Sequence, residues 1–274
     1  MARAPEVLAF LHPDSHTFSY LVGDPASGRA AAIDAALDFD PEHGRIGTAP
    51  AQALVEAAAQ RGWQVDWLLE THAHADHVSA ARWLKTRWPQ ARLGIGAGIV
   101  EVQRAFRERG ALPAGVATDG SQFDVLFAAE QAFAVGEVPA RVIAVPGHTG
   151  DAVAYLVGDA LFPGDSLFMP DGGTARCDFP GGDAAALYRS IQRLYALPEA
   201  TRVFVCHDYG PGGREVAYQS SIGEERRANV HVRADTPMEE FVRRRRERDA
   251  RLPPPRLMTH AVPLNLAGGA LPGA

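Results

Sequence analysis

Apolar and polar positions along the chain fall into short apolar blocks and longer amphipathic stripes. Residues 6–11 (EVLAFL), 18–24 (FSYLVGD) and 30–34 (AAAID) are brief apolar runs. His-Pro-Asp and Asp-Pro-Ala-Ser-Gly turn signals separate them, which predicts three strands. An alanine-rich stretch at 51–61, closed by Gly62, predicts a helix. VDWLLET (65–71) reads as a buried strand, and HVSAARWLKTRW (77–88), stopped by Pro89, as an amphipathic helix. RLGIGA then predicts a strand and 99–109 a helix ended by Gly110. Four closely spaced strands follow at 131–135, 141–145, 153–159 and 160–165. A helix at 186–197, with Asp183 as its cap, leads to RVFVC (202–206) as the final strand.

Strands with interspersed helices, repeated in two halves, predict a sandwich of two mixed sheets with helices outside, in one domain spanning 1–235. The tail, 236–274, is expected to pack on the same domain. Thr236-Pro237-Met238-Glu239 reads as a capping box with proline at the first helical position. The arginines 243–246 could hold an anion, but a solvated helix face is the preferred reading. From Leu252 the Pro- and Gly-rich residues are expected to lie extended over the surface.

Composition narrows the function without naming it. The 274 residues are 46% hydrophobic and 22% charged, with a net charge of -6. A mildly acidic chain has no bulk attraction to nucleic acid or anionic membranes, so small molecules are the expected partners. The two cysteines, Cys177 and Cys206, form no C-x-x-C pair and no disulfide framework. The N-terminal residues show no signal-peptide pattern and no stretch reaches a membrane span. A reducing, cytoplasmic location is therefore expected.

The chemistry is concentrated at strand ends. His72-Ala73-His74-Ala75-Asp76-His77 places three imidazoles and a carboxylate within six residues, directly after a buried strand. Such a donor set suits zinc or iron. His148 follows the strand of VIAVPGHT, Asp165 the strand of ALFPGD, and His207 the strand of RVFVCHD. A lone histidine after a strand is more often structural. Four strand ends that all deliver imidazole or carboxylate point to one shared metal cleft.

These seven residues, in this order, resemble the metallo-β-lactamase superfamily over roughly residues 6–210. The resemblance implies an α+β fold, an αββα sandwich with metal at one edge. It implies one metal at His72, His74 and His148, a second at Asp76, His77 and His207, and Asp165 between them. Exported β-lactamases, nucleases with a large extra domain and flavodiiron proteins fit poorly, leaving two glutathione-handling groups.

The stretch 173–191, with its Arg-x-Asp-Phe element at Arg176-Cys177-Asp178-Phe179, resembles the persulfide dioxygenases more than glyoxalase II. So do CHDYGPGGR (206–214), 224–232 and AVPLN (261–265). Gly150 departs from the proline usual after GHT. The dioxygenase resemblance implies one Fe(II) per chain on His72, His148 and Asp165, which leaves positions open for glutathione persulfide and O2. His74, Asp76, His77 and His207 are then supporting residues or a vestigial second metal site. Because glutathione carries two carboxylates, Arg176, Tyr209 and Arg214 are the expected substrate contacts; a structural salt bridge from Arg176 to Asp178 is nearly as good an expectation. The rival is a glyoxalase II-like thioesterase with one or two Zn(II), and a non-enzymatic sensor ranks below both. Relatives of this kind are often dimers, so a homodimer stays open.

Overall fold

In the computed structural model, which describes residues 4–270, the apolar blocks become strands whose alternate faces serve two different cores. The first sheet takes β1 (Glu6–His12), β2 (Thr17–Asp24) and β3 (Arg29–Ile33) as an antiparallel meander. Next in the chain come β4 (Ala36–Asp40), β5 (Arg45–Gly47) and α1 (Ala49–Arg61), which ends on Gly62 in the left-handed conformation. β6 (Gln64–Leu69) joins β3 in parallel. β7 (Val78–Ser79) and α2 (Ala81–Arg87) precede β8 (Arg92–Gly96), α3 (Ile99–Glu108) and β9 (Val125–Phe127). The sheet order is β1-β2-β3-β6-β8-β9, mixed in direction.

The second sheet contains β10 (Ala132–Val135), β11 (Val138–Ala144), β12 (Val153–Val157) and β13 (Ala160–Phe162). After α4 (Ala184–Tyr195) it is completed by β14 (Arg202–Phe204) and β15 (Gln219–Ser221). Three helices close the chain: α5 (Ile222–Ala228), α6 (Met238–Asp249) and α7 (Met258–Leu266).

Layering follows from which side chains meet. Phe18, Tyr20 and Ile33 of the first sheet pack against Val142, Tyr155 and Phe204 of the second, forming the core between sheets. The opposite face of the first sheet buries Leu21 and Leu68 against Leu54 of α1, Leu84 of α2 and Val262 of α7. The opposite face of the second buries Ile143 and Val203 against Leu187 of α4 and Phe241 of α6. The result is the expected αββα sandwich of the α+β class. Among the described residues no helix is long and apolar enough to cross a membrane.

Several local expectations change. The helix expected at 77–88 starts only at Ala81, because Val78–Ser79 pairs with Ala36–Leu37 of β4 in a small third sheet, order β5-β4-β7. The histidine run therefore lies in a loop and not on a helix N-terminus. β14 is not the last strand, since β15 pairs with it antiparallel. The capping box at Thr236 does not form. Pro237 itself occupies the cap position, and the Thr236 hydroxyl turns back to accept from Arg233 N.

The tail beyond Leu252 is not wholly extended. Residues 258–266 are helical despite Pro263, whose missing N–H costs one helical bond. Burial of Ala261, Val262 and Leu266 compensates. The part of the expected tail at 271–274 lies outside the described residues, as do residues 1–3. Arg245 also departs from the solvated-face reading. It is buried, pairs with Asp249 at 2.6 Å and donates to Thr174 O at 2.9 Å, while Arg243 and Arg244 pair with surface glutamates.

Candidate metal centre

Four chain segments converge at one edge of the sandwich. The loop after β6 carries His72, His74, Asp76 and His77, and the turn after β11 carries His148. A single 3-10 turn after β13 carries Asp165, and the segment after β14 carries His207. Two glycines make the approach possible. Gly147 has φ 145°, and a Cβ there would lie 2.3 Å from Leu187 N. Gly164 has φ 52°, and a Cβ there would lie 2.6 Å from the Thr71 hydroxyl. Any side chain at either position would push His148 or Asp165 out of the cleft.

The ring nitrogens that face away from the cleft are tied down. His148 Nδ1 bonds Arg176 O at 2.7 Å, and His72 Nδ1 lies 3.1 Å from the Thr71 hydroxyl. His207 Nδ1 lies 3.3 Å from His16 O. Anchored that way, the Nε2 atoms turn inward. His148 Nε2 is 3.4 Å and His72 Nε2 3.9 Å from Asp165 Oδ2, and His207 Nε2 is 3.2 Å from Asp165 Oδ1. One ligand atom from each of His72, His148 and Asp165 falls within 4.8 Å of the others.

His74, Asp76 and His77 meet the same test. His207 Nε2 lies 3.5 Å from Asp76 Oδ2, so the seven expected residues form one cluster, of which Asp76, His148, Asp165 and His207 line the cleft.

Burial sets the charge state. It favours a neutral ring at His72, and the neighbouring His74 adds to this, so its pKa falls well below the ordinary value. Burial also lowers His77. Burial pushes the Asp165 carboxyl up, but the imidazoles of His207, His148 and His72 outweigh it and hold the group well below the carboxylate range. His207 goes the other way: burial opposes its charge, but Asp165 and Asp76 raise it to about 9, so a divalent cation there would take the place of its proton.

Orphaned atoms support the fit. His74 Nδ1 and His77 Nε2 are buried without a hydrogen-bond partner among the described residues. Leaving such groups bare is costly, and a cation accepting their lone pairs removes the cost.

The sequence did not reveal the residues that brace this set. Asp34, at the end of β3 with φ 49°, accepts from Thr71 N at 2.7 Å and the Thr71 hydroxyl at 2.8 Å. Its Oδ1 lies 3.1 Å from His74 Nε2. Burial opposes charge on His74, yet Asp34 raises that imidazole to about 10. The Thr17 hydroxyl donates to Asp76 Oδ2 at 3.1 Å and lies 3.3 Å from His77 Nδ1. Asp151 Oδ2 accepts from Ala73 N at 2.8 Å. The only available signal was an aspartate ending an apolar strand.

The expected substrate contacts separate. Tyr209 is 57% exposed and faces the cleft beside Phe168. Arg176 lines the cleft, but its guanidinium is held bidentately by Asp178 at 2.6 and 2.7 Å and also donates to Pro253 O. Arg214 is spent on Asp171 and Asp208. Cys177 is buried, and burial pushes its thiol up to about 12, which leaves it an inert packing residue.

The cleft encloses about 430 Å³. Its outer wall is the segment from Leu252 to Arg256, and its rim carries Arg248. Among the described residues no carboxylate pairs with Arg248 or Arg256. An adjoining depression of about 540 Å³ shares Arg245, Arg248 and Leu252 with it.

Residues 13–207 match the metallo-beta-lactamase superfamily. The chain is 46% identical over 271 residues to the beta-lactamase hydrolase-like protein of Agrobacterium fabrum, a match covering 99% of this chain and 62% of that protein. It is 38% identical over 273 residues to glyoxylase B2 of Dictyostelium discoideum, covering 99% of this chain and 94% of that one. Among solved structures, ETHE1 from Myxococcus xanthus matches with a TM-score of 0.76 at 31% identity, covering 97% of this chain and 100% of that one.

Proposed function

The chain belongs to the metallo-beta-lactamase superfamily, and from that premise we propose that it is a persulfide dioxygenase that uses one Fe(II) per chain. The observation that carries the reading is the convergence of His72, His148 and Asp165, whose ligand atoms lie within 4.8 Å of one another. Two imidazoles and one carboxylate are the donor set of non-haem Fe(II) oxygenases. Fe(II) bound there supplies redox chemistry and open coordination positions. The resemblance of 173–265 to the persulfide dioxygenases and the likeness to ETHE1 over nearly the whole chain support it.

The overall reaction converts glutathione persulfide, O2 and water to glutathione, sulfite and two protons. Both oxygens of O2 go to the terminal sulfur, and water supplies the third oxygen of sulfite as the S–S bond breaks. The chain's own part is positioning. Arg176 O and Thr71 orient His148 and His72, and Thr17 holds Asp76 and His77 at the side of the cleft. Phe168 and Phe179 line an apolar stretch suited to a sulfur chain. Arg248 and Arg256, with Tyr209, meet the peptide carboxylates and amides. Arg176 and Arg214, already saturated by carboxylates, shape the wall instead. A cytoplasmic setting fits the two unpaired buried thiols.

A second reading is favoured by the bare Nε2 of His77 beside Asp76 and His207. This set suits a dinuclear zinc thioesterase of glutathione thioesters: Asp76, His77 and His207 would hold the second zinc, which would supply a lowered water pKa. The likeness to glyoxylase B2 is in keeping with it.

One experiment separates the two. Anaerobically prepared, Fe(II)-loaded protein is given glutathione persulfide while O2 and sulfite are followed together. Matched O2 loss and sulfite gain are expected. No uptake, with fast hydrolysis of S-lactoylglutathione by the zinc-loaded protein, overturns the dioxygenase.

Arg248→Ala is expected to raise KM for the glutathione substrate about tenfold with iron content and kcat little changed, since one charge-assisted hydrogen bond contributes roughly 1.5–3 kcal/mol. An unchanged KM removes Arg248 from the substrate contacts.

A further inference from the structure

One amide near the C-terminal end of the described chain is spent almost wholly on the metal loop. Asn265, on α7, is 5% exposed. Its Nδ2 donates to His74 O and to His77 O, each at 2.8 Å. Its Oδ1 accepts from Ser79 N at 2.9 Å. The opposite amide orientation is excluded, because it would set an oxygen against two carbonyls and a donor against an N–H. A single side chain therefore spans both ends of the turn that carries His74, Asp76 and His77.

The helix bearing Asn265 is itself fixed. Leu266 and Ala261 are fully buried, and Gln103 Nε2 donates to Leu266 O at 2.8 Å. The segment leading into α7 is the outer wall of the cleft, and its start is held by Arg176 through Pro253 O at 2.6 Å. Arg176 in turn accepts at its own carbonyl from His148 Nδ1. The stretch from Leu252 to Asn265 is thus tied to the metal centre at both ends.

We infer that Asn265 is a positioning residue for the metal centre. By fixing the His74 and His77 carbonyls it sets the direction of both imidazoles, so that metal occupancy and docking of α7 form one coupled equilibrium. This rests on the cleft holding a metal ion and not on which reaction that ion serves. Coupling of this kind is reciprocal: whatever factor docked α7 adds to metal affinity, bound metal adds to α7 docking.

The test uses the full chain, stripped with a chelator, and Zn²⁺ or Fe²⁺ alone as probe. Asn265→Asp keeps an acceptor for Ser79 N and loses both donors to the histidine carbonyls, while Asn265→Ala loses all three bonds. Metal affinity, read by competition with a chromophoric chelator, is expected to fall tenfold to a hundredfold in both, as when an outer partner of a metal ligand is lost. Hydrogen exchange at the amides of Leu264, Asn265 and Leu266 in the unaltered protein is expected to slow when Zn²⁺ is added, while Leu54 in α1 is indifferent.

Wild-type affinity in folded Asn265 variants overturns the inference, whatever their melting temperatures. So does exchange in α7 that ignores Zn²⁺, a readout that needs no variant. Neither measurement involves turnover, so both stand apart from the choice between dioxygenase and thioesterase.

Discussion

His148→Ala is expected to empty the proposed iron site and abolish turnover together. His148 is anchored to the cleft wall through Arg176 O at 2.7 Å, and its Nε2 stands 3.4 Å from Asp165 Oδ2. Removing it leaves two of three donors, and none of the nearby groups substitutes. His207 is engaged with Asp165 Oδ1 and Asp76, and His74 is held by Asp34. Turnover is expected to drop at least about a thousandfold, because the group that supplies the chemistry leaves with its ligand.

The backbone at this turn depends on Gly147 and not on the imidazole, so the chain should still fold. Iron per chain, O2 uptake and melting temperature are measured on the same preparation. Full iron content with wild-type turnover would falsify the assignment of His148, and lost iron with intact melting behaviour would support it.

Asp34→Ala should give the largest loss of stability for a residue that cannot touch substrate. Asp34 is 3% exposed and carries three obligations at once: Thr71 N, the Thr71 hydroxyl and His74 Nε2. Alanine leaves Thr71 N buried and bare, leaves the Thr71 hydroxyl with only His72 Nδ1 at 3.1 Å, and strips His74 of its neighbouring carboxylate. At roughly 1–3 kcal/mol per unsatisfied group the expected loss is about 3–5 kcal/mol, not fully additive. For a chain of this size that is a fall of about 10 °C or more in melting temperature.

Metal affinity is expected to drop tenfold to a hundredfold as well, because His74 loses its orienting partner. Asp34→Asn separates the effects. It preserves volume and one acceptor for Thr71 but turns an amide N–H₂ toward a donor, so affinity should fall further than stability. Thermal unfolding of stripped protein, with Zn²⁺ titration of the same sample, checks both. A stability loss under about 1 kcal/mol for the alanine variant means the Asp34 contacts contribute little, and Asp34 ceases to be a brace.

What could be read from the chain alone follows a physical rule. The apolar runs, their turn residues and the helical stripes are local patterns, and each requires only neighbours within about ten residues. So strands such as β2 and β6, the cap of α4 at Asp183 and the Gly62 end of α1 stood where expected. The donor types at His72, His74, Asp76, His77, His148, Asp165 and His207 were equally legible, since imidazoles and carboxylates after buried strands advertise themselves. The short strands β4, β5 and β7 were not, because two to five residues carry too little period; only their pairing with one another defines them.

The rest was decided by contacts between residues far apart in the chain. Asp34 braces Thr71 across 37 positions, Thr17 reaches Asp76 across 59, and Asn265 reaches His74 across 191. Nothing local to Asp34, Thr17 or Asn265 distinguishes a brace from an ordinary polar residue.

The arginines show the same limit. Arg176 and Arg214 sit near the motifs in sequence, yet Asp178, Asp171 and Asp208 claim them. Arg248 and Arg256 sit far from the motifs, yet the fold brings them to the cleft, with no carboxylate partner among the described residues. The sequence by itself determined which atoms can bind a metal and that strand ends would present them. Only the tertiary structure decided which of those atoms are anchored, which are left bare, and which charges remain free to meet a substrate. Hydrogen-bond satisfaction is a property of the packed interior, where partners come from anywhere in the chain.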